Sequence, residues 1–299
     1  MIVVVILAAN TIGAIPLLVA LAKTTLQNPE AAASFAKNPG DFSILGVDSN
    51  LGLVMMLLPF IASLFAFILL VKPIHGKPFT IIVNGTGKIR WRRFFTGAVV
   101  WLILSGLYLF IFLRIDPTNF TLHNTSGTLL VLIIVSLLLF PFQASMEEVL
   151  FRGYLMQGFA VLVRNKWFPL VMTSVLFGLL HAFNPEVKEF GFMTMMPHYI
   201  IFGLVFGIIT ILDDGIEVAM GAHSANNFFL SVMLTHKSSA MQTDAVYEQL
   251  SISPWLEFTG LVLMGILFIL ILKKLLGWDN FNPLWSKIQT KQVQSETIN

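Results

Sequence analysis

The chain has no cysteine. Thiol nucleophiles, disulfides and thiolate metal sites are therefore excluded. Charge is scarce as well. Only 11% of the 299 residues are Asp, Glu, Lys or Arg, against about 25% in a soluble domain. With 56% hydrophobic residues and a mean hydropathy of +0.82, such a chain cannot cover itself with polar surface. It reads as a polytopic membrane protein. There is no internal repeat and no separate soluble domain. The net charge of +2 is too small to indicate a partner. The sequons at Asn84, Asn119 and Asn124 are short enough to arise by chance.

What is present is a series of apolar runs. A span needs about 20 such residues. The sequence predicts an all-α, polytopic membrane helical bundle with about eight transmembrane helices, at about 2–22, 50–72, 94–115, 127–146, 168–183, 196–212, 216–235 and 256–276. The fourth continues as helix toward Val163, the fifth is short, and the sixth and seventh are closely spaced. Three regions follow: 1–126 with spans one to three and a basic loop, 127–235 with the polar motifs, and 236–299 with the last span and a tail. Asn28 is placed to cap a short helix that begins at Pro29 and stops at Asn38-Pro39-Gly40. The segment 237–254 is polar without a strong pattern.

Lysine and arginine set the orientation. With the N-terminus inside, the cytoplasmic segments hold most of them, including the run Lys88-Ile-Arg-Trp-Arg-Arg93, Arg164, Lys166, Lys273, Lys274 and Lys291. The outer segments hold Lys23, Lys37, Arg114, Lys188 and Lys237. Both termini are thus expected in the cytoplasm. Ala20-Leu21-Ala22 has the form of a signal-peptidase site, but no basic residue precedes the first apolar run. The 88–93 run interleaves aromatic and basic residues before a span, which suits an anchor against anionic lipid rather than nucleic acid.

Three sets of polar residues interrupt the apolar runs. Glu147 and Glu148 follow Leu129–Phe140. A charge at the membrane centre costs roughly 2.5–3.5 kcal/mol, so two adjacent ones need a reason. Arg152 lies four residues after Glu148 and shares its helix face. Glu147 points about 100° away and is left as the carboxylate available to act as a general base. A charged cluster that merely sets the depth of the helix explains the same pattern. Next comes Phe177-Gly-Leu-Leu-His181, where the histidine is either functional or a hydrogen-bonded packing residue. The third set is His223 and Asn227, one turn apart among small residues. Two such donors can stabilise an oxyanion or act as interhelical glue. Together the three sets supply a base, a polariser and a donor pair, the roles that peptide hydrolysis requires.

The pattern Glu147-Glu148-x-x-x-Arg152, Phe177-x-x-x-His181 and His223-x-x-x-Asn227 resembles the three motifs of the CPBP (Abi) family. That family contains the type II CAAX prenyl endopeptidases and bacteriocin-processing proteases. The motif-bearing part runs from about 127 to 235, and the eight-span layout also fits the prenyl endopeptidases. The resemblance implies an intramembrane protease with an active site open to the cytosolic side. Glu147 would activate water with help from His181. His223 and Asn227 would form the oxyanion hole. Glu148, Arg152 and Phe177 would support them. No cofactor is then required, and the partners are the bilayer and a membrane-associated peptide or protein.

Zinc is the alternative, since Glu147, His181 and His223 are a chemically reasonable ligand set, although the chain has no His-Glu-x-x-His helix. A non-enzymatic immunity or scaffold protein, or a transporter with a proton relay, would use the same residues differently. His198 beside Pro197 is a further cavity candidate. His75, His123 and His236 read as loop residues. Asp213, Asp214 and Glu217 read as a solvated acidic turn. The absence of cysteine and of eukaryotic targeting signals points to a bacterial cytoplasmic membrane.

Overall fold

The computed structural model describes residues 1–123, 127–163 and 165–287. The Asn124 sequon, Arg164, Lys291 and the chain's C-terminal end lie outside the described residues. The architecture is almost wholly helical. In chain order the helices are α1 (Ile2–Gly13), α2 (Ile15–Gln27), α3 (Pro29–Lys37), α4 (Ser49–His75), α5 (Phe79–Val83), α6 (Trp91–Ile115) and α7 (Thr128–Glu148). A π-helical segment, Val149–Leu155, joins α7 to α8 (Met156–Val163). Then follow α9 (Trp167–Leu180), α10 (Pro185–Phe190), α11 (Phe192–Asp213), α12 (Glu217–Met233) and α13 (Pro254–Leu276).

Local chemistry explains several boundaries. The Asn28 side chain accepts a hydrogen bond from the Ala31 amide at 3.1 Å and Pro29 opens α3, as the sequence indicates. Asp48 caps α4 through the Asn50 and Leu51 amides. At the far ends of α4 and α13, Gly76 and Gly277 take left-handed conformations and close the helices.

Not every expected span is by itself long and apolar enough to cross a membrane. Five helical runs among the described residues are long and apolar enough to cross a membrane: Ser49–His75, Trp91–Ile115, Thr128–Val163, Phe192–Asp213 and Pro254–Leu276. A sixth is reached if α1 and α2, bent by 48° at Ala14, count as one. The chain is thus an integral membrane protein by these helices. Helix α9 has 14 residues, about 21 Å of helix, which is shorter than a hydrocarbon core of about 30 Å. Helix α12 has 17, and its polar side chains lower its hydropathy. It lies inside the bundle, where nearly every residue from Glu217 to Ala225 is buried. Glycines let it pack closely: Gly221 meets the Phe94 carbonyl of α6, and Gly97 of α6 meets the Val218 carbonyl.

The segment without a sequence pattern is also not structureless. Phe120–Leu122 (β1), Leu234–Thr235 (β2) and Tyr247–Gln249 (β3) form a small sheet in the order β1-β3-β2, antiparallel then parallel. This sheet marks one end of the bundle. Residues Asn38 and Gln242, Lys188 and Lys37, and Glu186 and Ala240 bond to one another there. The other end gathers the basic residues. There Arg90 and Arg93 pair with Asp213, Arg90 pairs with Glu217, and Trp278 donates to Asp213 at 3.0 Å. The acidic turn read as solvated is therefore buried at two of its three positions, with Asp213 5% and Glu217 0% exposed. Cations brought from α6 compensate them.

Candidate active site

Glu147 sits at the end of the apolar helix α7, one turn beyond Gln143. The Gln143 amide donates to Glu147 Oε1 at 2.7 Å, and Gln143 Oε1 accepts from Asn227 Nδ2 at 2.8 Å. A single glutamine thus ties the glutamate to α12. Glu147 Oε2 has no hydrogen-bond partner and lies 3.6 Å from His223 Nε2.

Glu148 is fully buried. Its Oε1 accepts from Arg152 Nη1 at 3.0 Å and from His223 Nδ1 at 2.8 Å. An ionised carboxylate can only accept, so the proton of His223 is on Nδ1. Arg152 also donates to the Gly203 carbonyl of α11 at 3.0 Å, and its guanidinium lies 4.7 Å from the Phe177 ring centre. These contacts join α7, α9, α11 and α12. The π-helical turn begins immediately after Glu148. Such turns recur at functional sites, where they offset a helix face.

His181 caps the end of α9. Its Nδ1 is 2.8 Å from the Phe177 carbonyl. A carbonyl accepts, so Nδ1 carries the proton and Nε2 is left as an acceptor. The ring stacks on Tyr199, with centroids 4.5 Å apart. His181 therefore bonds to its own helix and not to the glutamates.

A cavity of about 500 Å³ receives Glu147, His181, His223 and Asn227 on its wall, together with Gln143 and Phe177. Glu148 and Arg152 stay behind that wall. His198 also faces the cavity; its ring nitrogens approach the Thr194 and Pro254 carbonyls at 3.0 and 2.7 Å. Asn226, next to Asn227 on α12, lines the cavity too. It donates to Asn227 Oδ1 at 3.0 Å and accepts from Trp101 at 3.2 Å.

Two contributors escaped the sequence reading. Gln143 had a signal, a lone amide in an apolar run one turn before Glu147. Glu186 had none, because Asn184-Pro185-Glu186 looks like any helix start. Glu186 lines the cavity from α10, and burial holds its carboxyl above the ordinary range.

A metal fits this arrangement poorly. Among the described residues no three histidine, aspartate or glutamate side chains are gathered as a ligand set. His223 already bonds Glu148, and Glu147 Oε1 is held by Gln143.

Comparison with known proteins agrees with the motifs. Residues 126–229 match the family described as type II CAAX prenyl endopeptidase Rce1-like. The uncharacterized protein YyaK of Bacillus subtilis (strain 168) is 34% identical over 172 residues, which is 57% of each chain. The matched stretch thus spans little more than half the length of that curated relative. No solved structure matches. Glu147, His181, His223 and Asn227 all fall within residues 126–229, the stretch that is similar to the Rce1-like family.

Proposed function

We propose that the protein is an intramembrane endopeptidase that hydrolyses a peptide bond of a membrane-associated protein or peptide with a glutamate-activated water. The observation that carries this reading is the state of Glu147. One carboxylate oxygen is fixed by Gln143, and the other is unbonded beside His223 on the wall of a cavity. Glu148 Oε2 is also unbonded but stays behind the wall, whereas Glu147 faces the cavity.

In this reading Glu147 Oε2 takes a proton from water, and the hydroxide adds to the peptide carbonyl carbon. His181 Nε2, which faces outward from its bond to Phe177, accepts a hydrogen bond from the same water and orients it. The carbonyl oxygen becomes an oxyanion. Asn227 has a second amide hydrogen beyond the one given to Gln143. His223 is ordered by Glu148, and in its protonated form offers Nε2–H. The C–N bond then breaks, the proton held by Glu147 passes to the leaving amine, and a new carboxyl end remains. Preorganised donors of this kind are worth roughly 3–4 kcal/mol each. Glu148 and Arg152 position His223 without touching substrate.

We assign no metal to these steps. The test is cleavage in membranes containing the wild type or Glu147→Gln. Loss of specific membrane-peptide products, with the variant still inserted and folded, supports the reading. Unchanged products with Glu147→Gln overturn it, and loss of activity on chelation restored by zinc overturns its metal-free form.

A further inference from the structure

A line of hydrogen bonds enters the site from outside the cavity. The Trp101 indole of α6 donates to Asn226 Oδ1 at 3.2 Å, and Asn226 Nδ2 donates to Asn227 Oδ1 at 3.0 Å. Asn227 Nδ2 donates to Gln143 Oε1 at 2.8 Å, and Gln143 Nε2 donates to Glu147 Oε1 at 2.7 Å. The three amides and Glu147 line the cavity, whereas Trp101 does not. Trp101 is fully buried, edge-on to Phe202, Phe206 and Phe268. It also precedes residues 126–229, the stretch similar to the Rce1-like family.

The two ends of this line have fixed roles. An indole N–H can only donate, and an ionised carboxylate can only accept. Each amide between them can turn over and exchange its oxygen for its nitrogen. One arrangement satisfies all four bonds: every amide receives on the Trp101 side and donates on the Glu147 side. The direction survives the proposed reaction. The proton taken from water goes to Glu147 Oε2, so Oε1 stays an acceptor. Bonds that run in one direction also polarise one another.

We infer that Trp101 and Asn226 are positioning residues that fix which end of the Asn227 amide meets the substrate. This rests on the proposed role of Asn227 as an oxyanion donor. Two clamps hold that amide from opposite sides, Glu147 through Gln143 and Trp101 through Asn226. Turned over, Asn227 would set its oxygen against Gln143 Oε1 and its nitrogen against Asn226 Nδ2. It would also offer a lone pair where negative charge develops. Asn226 cannot turn with it, because the buried Trp101 N–H would then lose its acceptor. A residue of α6 that touches no substrate thus keeps an N–H of Asn227 available to the oxyanion.

The test is a double-mutant cycle on cleavage per folded molecule in detergent. Asn226→Leu should lower kcat about 10-fold and Trp101→Phe about 3-fold, the scale of one neutral hydrogen bond. KM should change little, since the bond to the oxyanion exists only in the transition state. The double variant should lose no more than Asn226→Leu alone, because Trp101 acts through Asn226. Additive losses, or losses confined to KM, overturn the inference. Trp101→Leu serves the same cycle should Trp101→Phe fail to accumulate. Phe268→Leu loosens the packing around the indole and removes no donor, so its turnover should hold. A fall equal to that of Trp101→Phe assigns the effect to packing and overturns the inference.

A second arm needs no catalysis. The Trp101 indole N–H resonance, identified by its loss in the Trp101 variant, should move in Gln143→Leu, two amides along the line. An unmoved resonance overturns the directed chain. If the protein is no protease, the wild type shows no cleavage while that resonance still moves, so the two failures are distinct.

Discussion

Two buried ionic networks lie in this bundle, and they differ in what they leave undone. At the basic end, Glu217 accepts from the Arg90 amide and guanidinium and from Asn84. Asp213 is shared by Arg90, Arg93 and Trp278. Every carboxylate oxygen there has a cation or a donor beside it, and neither carboxylate lines a cavity. In the other network, Gln143, Glu147, Glu148, Arg152, His223 and Asn227 are equally connected, yet Glu147 Oε2 is left bare beside open space. A closed network of charges fixes helices. An open one can exchange a proton with something that enters. The same residue types thus serve two purposes, and the open space beside Glu147 separates them.

The sharpest way to break this comparison is to neutralise one carboxylate in each network. Glu147→Gln should lower cleavage by about 10²–10⁴-fold, the usual range for a positioned base, with little change in thermal stability in detergent. Arg90→Ala should do the opposite. Leaving Glu217 buried without its cation costs about 3 kcal/mol, read as a lower melting temperature, while turnover per folded molecule holds. Should Arg90→Ala abolish turnover and spare stability, the basic-end network is not merely structural.

A smaller effect probes the amide that joins the open network. Gln143→Leu removes the bond to Glu147 and leaves Asn227 without its acceptor. Hydrogen bonds to charged groups contribute about 1.5–3 kcal/mol, so kcat should fall about 10- to 100-fold with KM little changed. Packing offers a comparable test of scale. Gly221→Val drives a side chain into the Phe94 carbonyl and should cost about 1–3 kcal/mol of stability, measured by thermal unfolding.

The smallest expected effect is a pH slope from Glu186. Burial raises its folded-state pKa above the ordinary 4.5. Its contribution to stability is therefore complete below that ordinary value and is lost as pH rises through the raised one. Glu186→Gln, which can still accept from the Ala240 amide, should flatten that part of the melting-temperature profile. An unaltered slope would show that Glu186 does not titrate in this window.

Much of the site was legible because its parts are local. Glu148 and Arg152 four residues apart, Phe177 before His181, and His223 before Asn227 are helix-face patterns, and each helix holds the face its spacing predicts. The caps at Asn28 and Pro29 were legible for the same reason. The lengths of the individual helices were less so. Helices α9 and α12 are apolar enough to resemble spans, but one is too short and the other is wrapped by the bundle. Asp213 and Glu217 looked solvated because their cations come from α6, more than a hundred residues earlier in the chain.

Composition and spacing by themselves determined that this is a helical membrane protein and which residues could carry chemistry, because hydropathy and helix period act over a few turns. Only the tertiary structure decided that Gln143 joins the glutamate to α12 and that His223 is held by Glu148. Those outcomes depend on which helices meet, and side chains 75 or 84 residues apart become partners only once the bundle has closed.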